Sequence, residues 1–492
     1  MLYIGADFGT SSLKLLLTDG QGKILNTVTK EYDVSFPKPG WSEQKAEDWW
    51  KALKEGLPEL LKDNDTNDVA AIGVAGQMHG LVILDEKDEV IRPVILWNDG
   101  RTAKQTEYLN NVIGKEKLSE YTANIAFAGF TAPKILWVKE NEPQNFKRIK
   151  KIMLPKDYIN YMLTGVHSCD YSDASGMLLL DVKNKCWSKE MLNICSVKES
   201  QMPTLFESYE VIGKVLPEIA KELGLSADTL VVAGAGDNAA GAIGTGTVGE
   251  GGCNISIGTS GTVFISSESF GVDRFNALHS FAHADGGYHL MGCMLSAAAC
   301  HKWFCDKVLQ NNGYNDLENE IDASLLGKNQ LFFLPYLMGE RSPINDTDAT
   351  GVFIGLRPDT KRSDMILAIY EGVAFAIRDN IEVARNLGIN IEKSCLCGGG
   401  AKSRLWKKII ANVLNIELNI PVAEEGPGYG TAILSMVGAG EFESVKQATE
   451  KLSRIKETVK PEKELTALYE ERYQKFSKIY PAIKNLYKDI KE

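Results

Sequence analysis

Residues 3–17 read YIGADFGTSSLKLLL, and residues 254–266 read NISIGTSGTVFIS. Each places a Gly-Thr-Ser turn between two β-rich runs, and the two lie about half a chain length apart. Within the first, residues 2–6 and 13–18 are short apolar strands, and Asp19-Gly20-Gln21-Gly22 turns the chain into a third run, Lys23 to Val28. That pattern predicts an antiparallel opening. Its recurrence points to a duplicated domain in which two facing hairpins hold one ligand. Two unrelated hairpins with small-residue turns are the alternative.

Outward from these hairpins, the chain alternates between the two periodicities. Trp50, Leu53, Leu57, Leu60 and Leu61 predict a helix from Glu47 to Lys62, and residues 69–74, 81–84 and 230–233 predict further strands. A long amphipathic helix is expected from Ser363-Asp364 through Ile369, Val373, Ile377 and Ile381, stopping at Gly388. From Glu464 another carries Leu468, Tyr469, Tyr473, Phe476, Ile479 and Tyr480 on one face. Pro481 is expected to kink or interrupt it before Ile483 and Tyr487 resume the stripe, which reads as core packing. The fold class is therefore α/β with mixed sheets. A chain of 492 residues is too long for one ordinary core, so two domains are expected, 1–245 and 246–492, divided in the glycine-dense stretch 244–252.

Composition removes several classes of function. With 44% hydrophobic and 24% charged residues the chain is globular. Its net charge of −11 argues against nucleic acid or anionic lipid as a partner, and means that a phosphate site must be built locally from backbone N–H groups. The nine cysteines form no CxxC pair, so no closed zinc site is expected, and scattered thiols suggest a reducing cytoplasm. Asp7 interrupts the apolar N-terminal run, which argues against a secretory signal. No apolar stretch approaches the roughly 20 residues of a membrane span.

The chemistry-bearing segments follow strands. No Walker A sequence occurs. Gly234-Ala-Gly236-Asp237-Asn238-Ala239 formally matches a dinucleotide-binding turn, but a carboxylate inside it would repel a pyrophosphate. It reads instead as a strand running into a helix, with Asp237 and Asn238 at the helix start; a plain N-cap is the structural alternative for Asp237. Asp7 precedes Gly9-Thr10-Ser11-Ser12, a turn whose successive N–H groups can form an anion nest. A carboxylate beside such a nest suits a hydrated Mg²⁺ between it and a phosphate. Gly258-Thr259-Ser260-Gly261 repeats the turn. Gly398-Gly399-Gly400, after the run 394–397, suggests close backbone approach to a flat group such as adenine, or an ordinary loop. Gly76-Gln77-Met78-His79-Gly80 ends another strand. Trp97-Asn98-Asp99-Gly100-Arg101 is polar and aromatic at once, as a sugar site or a capped turn would be.

Taken in order, IGADFGTSSLK from Ile4, GQMHG from Gly76, WNDGR from Trp97, GFTAPK from Gly129, LPKDY from Leu154, GDNAAGA from Gly236, SIGTSG from Ser256, FLPYLMGERSP from Phe333 and CGGGAKS from Cys397 resemble the FGGY family of carbohydrate kinases. The match runs through essentially the whole chain. The resemblance implies two ribonuclease-H-like, actin-like domains with ATP, Mg²⁺ and a small sugar meeting in the cleft. It makes Asp237 the general base and Asp7 a metal-associated catalytic carboxylate. Gln77, Met78, His79, Asp237 and Asn238 match sugar-binding positions. Thr10, Ser11, Ser12, Gly258 and Thr259 match the phosphate loops, and Gly399 and Gly400 the adenine site. Arg404 stands where some relatives place an asparagine toward the nucleotide. By its position at a helix start, Asp237 is expected to gain from the dipole and stay ionised. GQMHG, WNDGR and LPKDY favour, within the family, a ketose substrate, D-xylulose. Ribulose, gluconate and glycerol are alternatives, as is an actin-like ATPase with a chaperone or filament role. No nucleic acid or membrane partner is implied, and a homodimer is compatible with the resemblance.

Overall fold

Alternation decides the first sheet. In Leu2–Phe8 (β1) and Ser12–Asp19 (β2), Ile4, Ala6, Phe8, Leu13, Leu15 and Leu17 enter one core, while Tyr3 and Leu16 enter another on the opposite face. A strand that is apolar on both sides must be covered on both sides. The structure, a computed structural model, describes residues 1–311, 313–422 and 426–491. Ile24–Glu31 (β3), Val69–Gly76 (β4), Val211–Lys214 (β5) and Leu230–Val232 (β6) complete a sheet of order β5-β6-β4-β1-β2-β3, and the short strand Ala235–Gly236 (β7) also pairs with β4.

The second half builds the same pattern. Cys253–Ile257 (β8), Gly261–Ser267 (β9), His279–Ala282 (β10), Tyr288–Met294 (β11), Lys393–Cys397 (β12), Glu417–Pro421 (β13) and Ile455–Val459 (β14) form a sheet of order β10-β11-β9-β8-β12-β13-β14. In the first sheet β1-β2-β3 are antiparallel and β1-β4-β6 parallel; in the second β8-β9-β11 are antiparallel and β8-β12-β13 parallel. The repeated Gly-Thr-Ser turn therefore occupies the same place, the first hairpin, in two like sheets.

The helix expected at Glu47 to Lys62 spans Ala46–Leu60, and the long one Arg362–Asn386, with Gly388 left-handed just beyond it. The C-terminal stripe is core, as read: Tyr469, Tyr473, Phe476 and Tyr487 are buried. Its break differs from the expectation. Lys463–Phe476 ends and a second helix begins at Ile479, so Pro481 lies in that helix's first turn, where a missing N–H leaves no bond unmade. Five of the nine cysteines are buried and all are unpaired. Among the described residues no helix is long and apolar enough to cross a membrane.

One helix crosses between the halves. Gly426–Gly438 comes late in the chain but covers the free face of the first sheet. Tyr429, Ile433, Leu434 and Met436 share a core with Tyr3, Leu16, Ala71 and Val232, which Val445 and Leu452 extend. The approach is close enough that a Cβ on Gly5 would overlap the carbonyl oxygen of Gly428, and one on Gly430 that of Ala240 in the helix Asp237–Gly244. Strands of the first sheet end at Gly236 and those of the second begin at Cys253, while this helix, late in the chain, packs on the first sheet. Replacing Gly430 by Ala should destabilise the protein by about 1–3 kcal/mol, the usual cost of forcing atoms into a filled interface. Urea unfolding of Gly430→Ala measures this; an unchanged midpoint would mean that the two helices can part without cost.

Candidate active site

β7 runs directly into the helix Asp237–Gly244 beside the end of β4, which brings the first sheet's carboxyl end and a helix start to one point. Gly236 holds the cap position and Asp237 is the first helical residue, so Asp237 is not the N-cap. Its Oδ1 accepts from the amide N–H of Asn238 at 2.7 Å and from the Asn238 side-chain amide at 3.0 Å. Burial pushes the Asp237 carboxyl up to about 7, the negative charge of Asp7 adds to this, and the Asn238 N–H opposes it. The expectation that the helix dipole keeps this group ionised is thereby corrected: in a helix of eight residues, dehydration and a second carboxylate outweigh the terminus. Asp7, on β1, is pushed up to about 6 by burial, with Lys14 opposing.

Met78 and His79 meet this point from the end of β4. Asn238 Nδ2 donates to Met78 Sδ at 3.8 Å, and Met78 packs directly beneath Gly236. His79 has a left-handed backbone, φ +69°, which a non-glycine residue adopts only when its surroundings enforce it. The surroundings are visible. Its carbonyl accepts from Lys134 Nζ at 2.7 Å and Thr131 Oγ1 at 3.1 Å, its Nδ1 lies 2.8 Å from the Gly176 oxygen, and its ring packs on Phe130. Burial, with Lys134 adding, holds the imidazole well below its usual range, and therefore neutral. From the second half, His279 packs against Phe127 and Phe130, and the Arg341 guanidinium lies over Phe127. The structure therefore brings Met78, His79, Asp237 and Asn238 together. Lys134, Phe130, His279 and Arg341 were not singled out, although GFTAPK and GERSP were among the matching segments.

Gln77 is elsewhere. It is buried, and its amide donates to Gln44 Oε1 at 2.8 Å while Gln44 holds the Thr10 carbonyl at 2.6 Å. Its amide thereby supports the first loop. That loop is further fixed by Tyr32, whose hydroxyl donates to Gly9 O, and by Trp97, whose indole donates to Thr10 Oγ1 at 2.9 Å. The remainder of WNDGR is a capped turn: Asp99 accepts from Ser42 N and pairs with Arg101, which stacks on Trp41. The second loop is held by its carbonyls, Gly258 O accepting from Ala298 N and Thr259 O from Ala297 N.

A cavity of about 650 Å³ opens from Asp237 and Asn238 between the helix Asp237–Gly244 and the second sheet. It is lined also by Ser256, Phe264, Gly398, Lys402, Lys407 and Lys456. Gly399 lines it; Gly400 is buried against Ile257 and Trp406. Thr10, Gly258 and Thr259 do not line it, and Ser11 and Ser12 open on a separate polar groove with Glu31, Asp33 and Lys51. Arg404 is exposed at the start of the helix Arg404–Leu414 and also lies outside the lining. The cations that line the cavity are lysines, and of these only Lys402 lies in a segment singled out from the sequence, CGGGAKS.

Mg²⁺ fits the donor set. Among the described residues no cluster of three or more His, Cys, Asp or Glu could cage a metal. Asp7 Oδ1, however, is a buried oxygen with no hydrogen-bond partner. A carboxylate with a second beside it suits a hydrated divalent ion whose remaining positions are water and phosphate.

A carboxyl whose folded pKa is raised weakens folding once the unfolded chain ionises. The loss begins near pH 4 and is complete above the folded values of about 6 and 7. In metal-free buffer Asp7→Asn and Asp237→Asn should therefore each raise Tm at pH 8 by a few degrees and leave it unchanged at pH 3.5. Thermal scans at the two pH values check this; equal effects at both would mean that charge is not the cause.

Residues 2–244 match the model of the FGGY family of carbohydrate kinases, N-terminal domain, and residues 253–439 that of its C-terminal domain. A xylulose kinase of Escherichia coli (strain K12) is 39% identical over 484 residues, 97% of this chain and 98% of the relative. A solved structure described as a xyloylose kinase from Brucella ovis superposes with a TM-score of 0.94 at 39% identity, covering 99% of this chain and all of the other. A gluconate kinase from Lactobacillus acidophilus superposes with a TM-score of 0.93 at 25% identity, covering 99% of each chain. The chain belongs to the FGGY family of carbohydrate kinases.

Proposed function

We propose that the chain is a xylulose kinase, transferring the γ-phosphoryl group of ATP to D-xylulose to give D-xylulose 5-phosphate. The observation that carries this reading is the place of Asp237. Its carboxylate stands where the 650 Å³ cavity meets the pocket wall of Met78, His79 and Asn238. A nucleotide in the cavity and a sugar against Met78 and His79 would meet at that carboxylate. The full-length relatives named xylulose kinase support the ketose as acceptor.

The roles follow from the contacts. Asp237 accepts the proton of the sugar hydroxyl as it attacks phosphorus. Asn238 holds the Asp237 carboxylate by two N–H groups, and the pinned His79 offers a neutral ring to the sugar. The turns at Thr10 and Thr259 present backbone N–H groups to phosphate from opposite lobes. Since neither lines the cavity, the lobes must approach each other for both to engage one ATP, which also excludes water. Mg²⁺ at Asp7 would neutralise charge developing on the phosphates.

The fold alone does not choose the sugar, as the gluconate kinase shows. Under Mg²⁺-ATP, D-xylulose should give the highest kcat/KM in a panel with D-ribulose, gluconate and glycerol. A clear win for any of these removes the ketose and leaves the kinase.

Asp237→Asn preserves size and should lower kcat with D-xylulose by at least about a hundredfold. In the wild type, kcat/KM should fall as pH drops through about 7, because Asp237 must be ionised to accept a proton. The limb of kcat should lie lower, since a cation at Asp7 cancels part of the repulsion. Turnover by Asp237→Asn at the wild-type rate would remove the general base.

A further inference from the structure

Behind Asp237 lies a buried charge cluster to which LPKDY contributes Lys156 and Asp157. Lys156 Nζ sits 2.6 Å from Asp157 Oδ1, 2.8 Å from Asp170 Oδ1 and 3.9 Å from Asp173 Oδ2, and all four side chains are fully buried. The tightest ion pairs of the cluster are those of Lys156 with Asp157 and with Asp170. A buried pair of this kind is weak as a source of stability but strict about geometry.

Two chains of hydrogen bonds leave the cluster, and both end on the segment that carries Asp237. Along the first, Asp170 Oδ2 accepts from Ser172 Oγ at 2.5 Å, from Ser172 N at 2.9 Å and from Ser208 Oγ at 2.8 Å. With its proton committed to Asp170, the Ser172 hydroxyl must present a lone pair elsewhere, and it accepts from Gly236 N at 3.2 Å. Along the second, the Ala233 carbonyl accepts from Asn160 Nδ2 at 2.8 Å and from Lys156 Nζ at 3.4 Å. The four residues before Asp237, Ala233 to Gly236, are thus tied at both ends. Met78 is packed under Gly236, so an unanchored strand could move only by shifting the sugar-side wall as well.

We propose that Ser172, oriented by Asp170 and through it by Lys156, is a positioning residue for the phosphoryl transfer: it fixes the Gly236 amide and thereby the place and direction of the Asp237 carboxylate. Ser172 touches no reacting atom. A carboxylate that must meet one hydroxyl proton loses rate steeply when displaced by even about 1 Å. A serine with a free hydroxyl could not provide this, because it could turn away. The inference rests on Asp237 being the base. The competing reading is that the cluster only fastens the segment 155–208 to the first sheet.

Ser172→Ala removes the acceptor and leaves the ion pairs in place. Steady-state kinetics with D-xylulose and Mg²⁺-ATP should show kcat lower by about tenfold with both KM values within about twofold. Ser208→Ala, which loosens Asp170 from another side but leaves the Ser172–Gly236 bond, should lower Tm more than kcat. A Ser172→Ala enzyme with wild-type kcat and a lower Tm would make the cluster a fastening and overturn the proposal, as would raised KM values at unchanged kcat. If Ser172→Ala does not fold, Ser172→Cys, close in size and a poor acceptor, takes the same test with the same two outcomes. Asp237→Asn in the same assay separates the readings. Its loss of activity beside a fully active Ser172→Ala overturns only the positioning role, whereas an active Asp237→Asn overturns the base and the positioning role together.

Discussion

Two carboxyl groups that water would solvate better are held near each other at the base of a cleft. Asp7 and Asp237 both sit above their ordinary range, Asp237 partly because Asp7 is there. Left free, the chain would swing one of them outward. It cannot, because Asp7 is fixed within β1 and Asp237 follows a strand paired with β4. The parallel order β1-β4-β6 is what places both at the same edge of the sheet, as carboxyl ends of neighbouring strands regularly do in α/β folds. The destabilisation is local; the hydrophobic faces of two sheets supply the stability that tolerates it.

The same economy explains the polar burial around the site. Lys134 spends a fully buried ammonium on two carbonyls, those of His79 and Gly129, and the result is a histidine kept in a left-handed conformation. Gln77 and Gln44 spend two buried amides on the carbonyl of Thr10. Neither arrangement is what an apolar core would select, since each buried polar group must find a partner. Both fix a loop that has no regular hydrogen-bond ladder of its own.

Much of this was legible locally. The strand-turn-strand hairpins, the helix Arg362–Asn386 and the buried tyrosine stripe follow from periods of two and 3.6, which any single segment displays. The duplication was legible because the turn residues repeat. What could not be read depends on residues far apart in sequence. The place of the helix Gly426–Gly438 on the first sheet is set by Gly5 and Ala240, and nothing in its own sequence names them. Asp237 stands out by its motif, yet the upward push on its carboxyl is not legible there, because the helix start is a local feature and Asp7 lies 230 positions away. Arg404 enters only through the family resemblance, while the cavity's lysines come from three different elements.

The late helix also sets a schedule. The hydroxyl of Tyr3 on β1 donates to Glu441, 438 residues further along. On a ribosome adding about 5–20 residues per second, the first sheet waits on the order of half a minute before its second face can be covered. Until then Tyr3, Leu16, Ala71 and Val232 face outward on a nascent chain. An emerging first lobe is therefore an incomplete object for most of translation, and chaperones have their longest access to it through the one face whose cover is made last.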